Sequence, residues 1–284
     1  MTLPFTADSA DTGLTIAVTT SRHPDAQEEQ EARELAAREG FLFRPRRRRP
    51  LEALFAGDAA RGEVPVAVIV VVTRDQVVAH SRQGPPLFFH PGMAKIRIQR
   101  LRQGGGDPMI TAMDLGPGQR VLDCTLGFGA DAIVSSYVVG ETGEVVGWES
   151  SPVIACVMRH GMARYQQPVH AELPALVAAI RRVKVERVDH RLGLPHLPDG
   201  AFDVVYFDPM FRHPLLHSQP LAPLRLFADH RPIEVEVLEQ AKRVARRRVV
   251  VKDRSSGEEL DRLGLTTRVG GHKSPVTFGI WIKE

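Results

Sequence analysis

Val121-Leu-Asp-Cys-Thr-Leu-Gly-Phe-Gly-Ala-Asp131 is the stretch that decides how the rest of the chain is read. Apolar residues run into Asp123, glycines follow at the alternate positions Gly127 and Gly129, and an apolar, helix-compatible run opens at Ala130. A buried strand that ends in a carboxylate, turns tightly and starts a helix brings backbone N–H groups and one fixed anion to the carboxyl edge of a parallel sheet. Open α/β folds bind their ligands at that edge.

Outward from the turn, strand and helix patterns alternate. Strands are expected over residues 120–123, 144–149, 186–189, 202–208 and 248–252, with helices over 130–139, 152–165, 171–183, 232–244 and 258–263 between them. Two last strands, 265–269 and 276–282, are joined by a short loop and read as an antiparallel hairpin. This alternation predicts a doubly wound, Rossmann-like α/β sheet over residues 119–284, ending in a C-terminal antiparallel hairpin as class I methyltransferase sheets do. Upstream, a strand over 14–20, a helix over 24–39 with Pro24 in its first position, a short helix over 51–56 and a hairpin of strands 65–72 and 76–80 make a small N-terminal α/β domain, residues 1–83. Residues 84–118 form a helical junction. In it, 93–102 reads as a basic amphipathic helix with Ile96, Ile98 and Leu101 as its apolar contacts, and Asp107 and Pro108 start a second helix that Gly116 closes.

Three carboxylates fall at expected strand ends, Asp123, Glu149 and Asp208, and Asp189 follows the third strand. Asp123 suits the ammonium end of an amino-acid-like ligand. Glu149 lies roughly 20 residues past the glycines, the spacing at which an acid accepts hydrogen bonds from ribose hydroxyls. Asp189 is placed to accept from an adenine amino group. The run from Gly127 to Ala132 also fits the dinucleotide fingerprint, but a carboxylate beside the turn would repel a pyrophosphate and suits a sulfonium. S-adenosyl-L-methionine is therefore the expected cofactor, with NAD as the competing reading.

The fourth strand ends Val204-Val-Tyr-Phe-Asp-Pro-Met-Phe211. Asp-Pro with an aromatic two positions later is similar to the motif of enzymes that methylate exocyclic amino groups. Such a nitrogen is a poor nucleophile because its lone pair is delocalised into the ring. A carboxylate and a carbonyl that accept its two N–H bonds aim it at the methyl group and stabilise the positive charge that grows on it. Asp208 and the Pro209 carbonyl are the expected acceptors, and Phe211 the stacking ring.

These segments, with Arg247-Arg-Val-Val-Val-Lys252, resemble the methyltransferases that modify guanine N2 in small-subunit 16S ribosomal RNA. The resemblance is closer to uncharacterised Gram-positive-type relatives, in which Thr19-Thr-Ser-Arg22 and Phe88-Phe-His-Pro-Gly-Met-Ala94 also have counterparts. It implies cofactor contacts from Ala130, Asp131, Glu149, Ser150, Asp189, His190 and Asp208. It also implies an RNA partner, ribosomal RNA or the small ribosomal subunit. The rRNA enzymes carry Arg-Asp where this chain has Ala130-Asp131, and their N-terminal arm differs. Met210, Lys252 and Arg97 are candidate substrate contacts.

Composition bounds these readings. The chain has 284 residues, 43% apolar and 25% charged, which suits an ordinary globular protein. No apolar run approaches the roughly 20 residues of a membrane span, so no membrane partner is expected. Two cysteines, each in a segment read as core, fit a reducing, cytoplasmic setting. No Cys/His spacing predicts a metal. A net charge of +3 hides three basic clusters, Arg44 with Arg46–Arg49, Lys95 to Arg102, and Lys242 to Arg248. Such clusters can pair with nucleic-acid phosphates or simply be solvated. His90, His213 and His217 read as ordinary loop residues. Two other functions stay open: methylation of a protein side-chain amide or a small molecule, and a non-catalytic, cofactor-sensing RNA-binding protein.

Overall fold

The computed structural model describes residues 14–166, 173–210, 222–270 and 274–284. The N-terminal part comprises β1 (Ile16–Thr20), α1 (Ala26–Glu39), β2 (Leu42–Phe43), α2 (Leu51–Ala56), β3 (Val68–Val72), β4 (Val77–Ser81) and β5 (Leu87–Phe88). They form a five-stranded sheet in the order β2-β1-β3-β4-β5, parallel across β2-β1-β3 and antiparallel beyond. Every residue of β1 and β3 is buried, because both sheet faces are covered. Asp25, not Pro24, starts α1, with a reciprocal capping box to Glu28. Gly40 in left-handed backbone ends that helix.

The junction holds α3 (Gly92–Arg102) and α4 (Pro108–Met113). Ile98 is fully buried in α3, but Ile96 and Met93 are 59% and 60% exposed, so the expectation that Ile96 packs inward does not hold. The helix lies on α5 along a narrower seam than its apolar residues suggested. Asp114, in left-handed backbone at φ 49°, closes α4 ahead of Gly116.

The second sheet is built from β6 (Arg120–Asp123), β7 (Glu144–Glu149), β8 (Val183–Arg187), β9 (Phe202–Phe207), β10 (Ala245–Arg254), β11 (Thr267–Gly270) and β12 (Val276–Ile282). Its order is β11-β12-β10-β9-β6-β7-β8, with only the β12 pairings antiparallel among the described strands. The connecting helices are α5 (Ala130–Val139), α6 (Pro152–Arg164), α7 (Pro174–Arg182), α8 (His190–Gly193), α9 (Ala222–Arg225), α10 (Val235–Val244) and α11 (Glu258–Arg262). One core, around Val121, Val204, Tyr206 and Val250, packs against α5, α6 and α7 and runs on into the N-terminal sheet. The other, around Leu122, Val205, Phe207 and Val251, packs against α10 and α11. The chain reverses direction across the sheet between β6 and β9, which leaves a crevice at their carboxyl ends.

The two sheets meet through α6. Phe89 packs edge-on to Tyr165, and α1 is tied to α6 by Arg159–Glu39 at 2.6 Å and Arg164–Glu31 at 2.5 Å. Gly161 makes this contact possible, since a Cβ there would lie 2.1 Å from the Phe89 Cβ. In a solvated helix Gly→Ala gains about 1 kcal/mol, but overpacking costs about 1–3 kcal/mol, and here the obstacle sits next to the backbone. Gly161→Ala is therefore expected to lower stability, seen as a lower urea midpoint at unchanged slope. A raised midpoint would show that the contact yields freely.

Candidate active site

The carboxyl edge of the second sheet gathers the acids expected there, and the strand register explains how. Asp123 ends β6 opposite Tyr206, and Asp208 follows β9 by one residue. Lys252 on β10 comes alongside, because Val251 pairs with Phe207. Thr125 links the two central strands: its N–H donates to Asp123 Oδ1 at 3.0 Å, and its Oγ1 accepts from the Asp208 N–H at 2.6 Å. Gly127 and Gly129 carry the turn in left-handed backbone, φ 51° and 74°, which a glycine adopts without steric penalty. Gly129 precedes Ala130, the first residue of α5, so the N-terminus of that helix faces the crevice.

Lys252 Nζ donates to Asp208 Oδ2 at 2.7 Å and to Asp131 Oδ2 at 3.2 Å. Asp131 also accepts from the Tyr206 hydroxyl at 2.8 Å and from Arg97 Nη1. Arg97 continues to Asp107 through a two-pronged pair at 2.7 and 2.9 Å. The result is one partly buried ladder of charges, Asp107–Arg97–Asp131–Lys252–Asp208, running from the junction to the end of β9. Burial opposes the Asp131 charge, but the Lys252 ammonium and the Arg97 guanidinium outweigh it and hold its carboxyl below the usual range. Burial pushes Asp208 up, Lys252 opposes that rise, and Asp131 adds to it. Burial disfavours the Lys252 charge, yet its two carboxylates hold its pKa above the ordinary lysine value. The Asp208 side chain keeps 30% of its exposure, so a ligand can reach it. Asp123 is buried, and burial together with the Asp131 charge pushes its carboxyl well up.

Glu149 accepts from the Gly127 N–H at 3.1 Å and the Ser151 N–H at 2.8 Å, bridging the glycine turn and the start of α6. Burial nevertheless raises its pKa to about 7. Ser150 follows Glu149 at the crevice and is half-buried. Asp189 caps α8 through the Arg191 N–H at 2.9 Å and binds Arg231 Nη2 at 2.7 Å, so both its oxygens already have partners. Asp229 braces the same arginines, at 3.0 Å to Arg191 and 2.7 Å to Arg231. His190 is buried edge-on to Phe207 with Nδ1 at 3.2 Å from the Cys124 carbonyl; among the described residues its Nε2 has no partner. Burial lowers its pKa to about 4, which keeps the ring neutral.

The expected residues thus converge, with differences in what their side chains do. Arg97 and Lys252, read as substrate contacts, are held in ion pairs with site carboxylates. Met210 packs half-buried against the core. Pro209 lies at the mouth, half-buried. Phe211, His213 and His217 fall outside the described residues. Thr125, Tyr206, Asp107 and the Arg231–Asp229 pair were not expected. Tyr206 could have been, since period-two alternation puts it on the same face of β9 as Asp208. Of the basic clusters, Lys242 to Arg248 is largely consumed: Arg243 pairs with Asp199, Arg246 with Asp203, and Arg247 and Arg248 with Asp114. Among the described residues no helix is long and apolar enough to cross a membrane, and no cluster could hold a metal.

The donor set fits a sulfonium nucleoside better than a dinucleotide. Carboxylates at Asp123 and Glu149 flank the glycine turn, and the unpartnered His190 nitrogen adds a neutral polar group beside it. Comparison with known proteins agrees. The family described as putative SAM-dependent methyltransferase matches residues 69–275. The uncharacterised protein YpiP of Bacillus subtilis is 35% identical over 247 residues, 87% of this chain and 92% of its own length. The ribosomal RNA small subunit methyltransferase J of Stutzerimonas stutzeri is 30% identical over 186 residues, 62% of this chain and 67% of that one. Its counterpart in Cellvibrio japonicus is 33% identical over 117 residues, and this chain spans only 43% of its length. A SAM-dependent methyltransferase from Neisseria gonorrhoeae superposes with a TM-score of 0.60 at 20% identity, covering 94% of this chain and 96% of that one, a shared fold. The chain belongs to this family of SAM-dependent methyltransferases, and S-adenosyl-L-methionine is its cofactor.

Proposed function

We propose that the protein methylates an exocyclic amine of RNA, guanine N2 of 16S ribosomal RNA first among the candidates. The observation that carries this reading is Asp208: a partly exposed carboxylate at the end of β9, followed by Pro209, with its Oδ2 held by Lys252. When bound, S-adenosyl-L-methionine supplies an electrophilic methyl carbon on a sulfonium. Asp208 and the Pro209 carbonyl accept the two N–H bonds of the amine and turn its lone pair toward that carbon. The nitrogen lone pair would then form the N–C bond, the C–S electron pair staying on sulfur. The extra proton then leaves the nitrogen, which needs no strong base once the methyl is attached. Lys252 opposes the rise that burial and Asp131 impose on the Asp208 pKa and so favours its ionised form, which accepts better and stabilises the positive charge that develops. Glu149, beside the glycine turn, is the acceptor for the ribose, while the buried Asp123 supports that turn through the Thr125 N–H.

An RNA acceptor is supported by the similarity to ribosomal RNA small subunit methyltransferase J proteins. It is supported also by α3, which exposes Met93, Ile96 and Arg100 on the helix that sends Arg97 into the site. Apolar side chains interleaved with arginine suit unstacked bases and phosphates. A planar protein amide would meet Asp208 almost as well, so the acceptor is tested directly. Radiolabelled cofactor offered to 30S subunits, naked ribosomal RNA and total protein should label an RNA fraction. Label in protein alone would overturn the RNA reading.

Asp208→Asn is expected to keep cofactor binding and lose about a hundredfold in kcat, the scale for removing one charge-stabilising group. Near-normal turnover would remove Asp208 from the mechanism. Glu149 gives a separate signature. Its acceptor form is the carboxylate, present above about 7 and lost as pH falls through that value. Calorimetric affinity for S-adenosyl-L-methionine should therefore weaken across that window in the wild type, and Glu149→Gln should flatten the dependence. A profile of the same shape in both proteins would exclude Glu149 as the titrating contact.

A further inference from the structure

The N-terminal sheet carries a group of cations for which methyl transfer gives no reason. Of the first arginine cluster, Arg44 is buried against the Leu54 and Val64 carbonyls, and Arg49 is paired with Glu63 at 2.7 Å. Those two hold the loop after β2 in place. Arg46, Arg47 and Arg48 do something else. Among the described residues none of them pairs with a carboxylate, nor does Arg22 at the end of β1. Arg46 is half-buried: its Nε donates to the Arg49 carbonyl at 2.7 Å and one terminal nitrogen reaches the Thr20 carbonyl at 3.4 Å. Burial and the nearby charge of Arg22 both work against its own charge, and only Glu52 acts the other way.

The turn between Arg46 and Arg49 is closed by an N–H to carbonyl bond of 2.9 Å, and its two central residues have φ 45° and 60°. Left-handed backbone at both central positions normally selects Asn or Gly. Here two exposed arginines occupy them. Strained backbone of this kind tends to persist where it presents side chains for use. The face beneath is also under-satisfied. Ala17, Ile69 and His80 pair across β1, β3 and β4, and Thr19 lies two residues beyond Ala17 on that face. The buried Thr19 Oγ1 has no partner. Burial and the Arg46 charge lower the His80 pKa, so His80 adds no further cation.

We propose that Arg22, Arg46, Arg47 and Arg48 form a phosphate-binding surface that grips the RNA backbone, a second contact carried by the sheet that does not hold Asp208. Four guanidiniums that pair with no carboxylate among the described residues are complementary to successive phosphodiesters, and arginine binds phosphate through paired N–H bonds. The identity of the polyanion rests on the RNA reading above; the anion site itself does not.

The test uses the full chain, a fluorescein-labelled single-stranded 20-mer RNA and anisotropy over a salt series, with Arg47→Gln/Arg48→Gln and, separately, Arg46→Gln. The double variant alters only exposed side chains. Its affinity should fall about tenfold, and its log affinity–log salt slope should flatten by about 1.4, the change expected for two lost phosphate contacts on a single strand. Binding of S-adenosyl-L-methionine should be unchanged. Wild-type affinity and slope in the double variant, or no RNA binding by the wild type, overturns the proposal. Competition by inorganic phosphate beyond that of chloride at equal ionic strength would assign the site to a free phosphate ligand and also overturn it. RNA binding that depends on these arginines, without methyl transfer to any RNA, would retire the proposed acceptor and leave this surface standing.

Discussion

Everything at the carboxyl edge depends on Lys252 lying between Asp208 and Asp131. Asp123, Asp131, Glu149 and Asp208 share a poorly solvated crevice, where like charges raise one another's proton affinity and burial raises it further. Lys252 offsets this for the two acids it touches: with Arg97 it holds Asp131 below the usual carboxylate range, and it opposes the rise at Asp208. Lys252 meets this need through register alone: β10 runs parallel beside β9, so residue 252 arrives level with residue 208. Removing one partner of such a buried pair typically costs about 3–5 kcal/mol, because the other charge is left stranded. The site is thus bound to the stability of the sheet centre.

Arg97 extends the constraint beyond the sheet. By joining Asp107 to Asp131 it fastens the junction helices to the start of α5, next to the glycine turn. A residue that could have served as a substrate contact is instead what orients α3, and α3 then presents Met93, Ile96 and Arg100 to solvent. Ionic groups sort in the same way elsewhere. Arg243 to Arg248 stitch strands and loops together, whereas among the described residues Arg46 to Arg48 pair with no carboxylate. Counting basic residues could not separate these roles, because the difference lies in carboxylates brought in from distant segments.

The second sheet was largely legible in the sequence. Strands β6 and β7 are largely apolar runs ending in acids, glycines mark the turn after β6, and β12 coincides with the expected 276–282, whereas β8 (Val183–Arg187) starts three residues ahead of the expected 186–189. Boundaries slipped where composition misleads. Strand β10 starts at Ala245, not Arg248, because three arginines at its start look like surface and yet find Asp114, Asp203 and backbone carbonyls. Strands β2 and β5 have two residues each, too short to show any period. Side-chain partnerships were the least legible. Asp131 was read from a family resemblance as a cofactor contact, but its carboxylate is occupied by Arg97, Tyr206 and Lys252; Asp189 is likewise occupied by Arg231. Nothing local in the sequence encodes those meetings.

Lys252 favours the ionised form of Asp208, the form the proposed acceptor role requires. The most direct test is the pH dependence of kcat/KM for methyl transfer in wild type, Lys252→Arg and Lys252→Met. Loss of the ammonium should let the Asp208 pKa rise, so the acid limb of the Lys252→Met profile should move up by about one unit or more, the scale of a close charge partner. Lys252→Arg should stay near wild type. An acid limb at the same pH in Lys252→Met would show that Lys252 does not govern Asp208 ionisation, whatever happened to the rate.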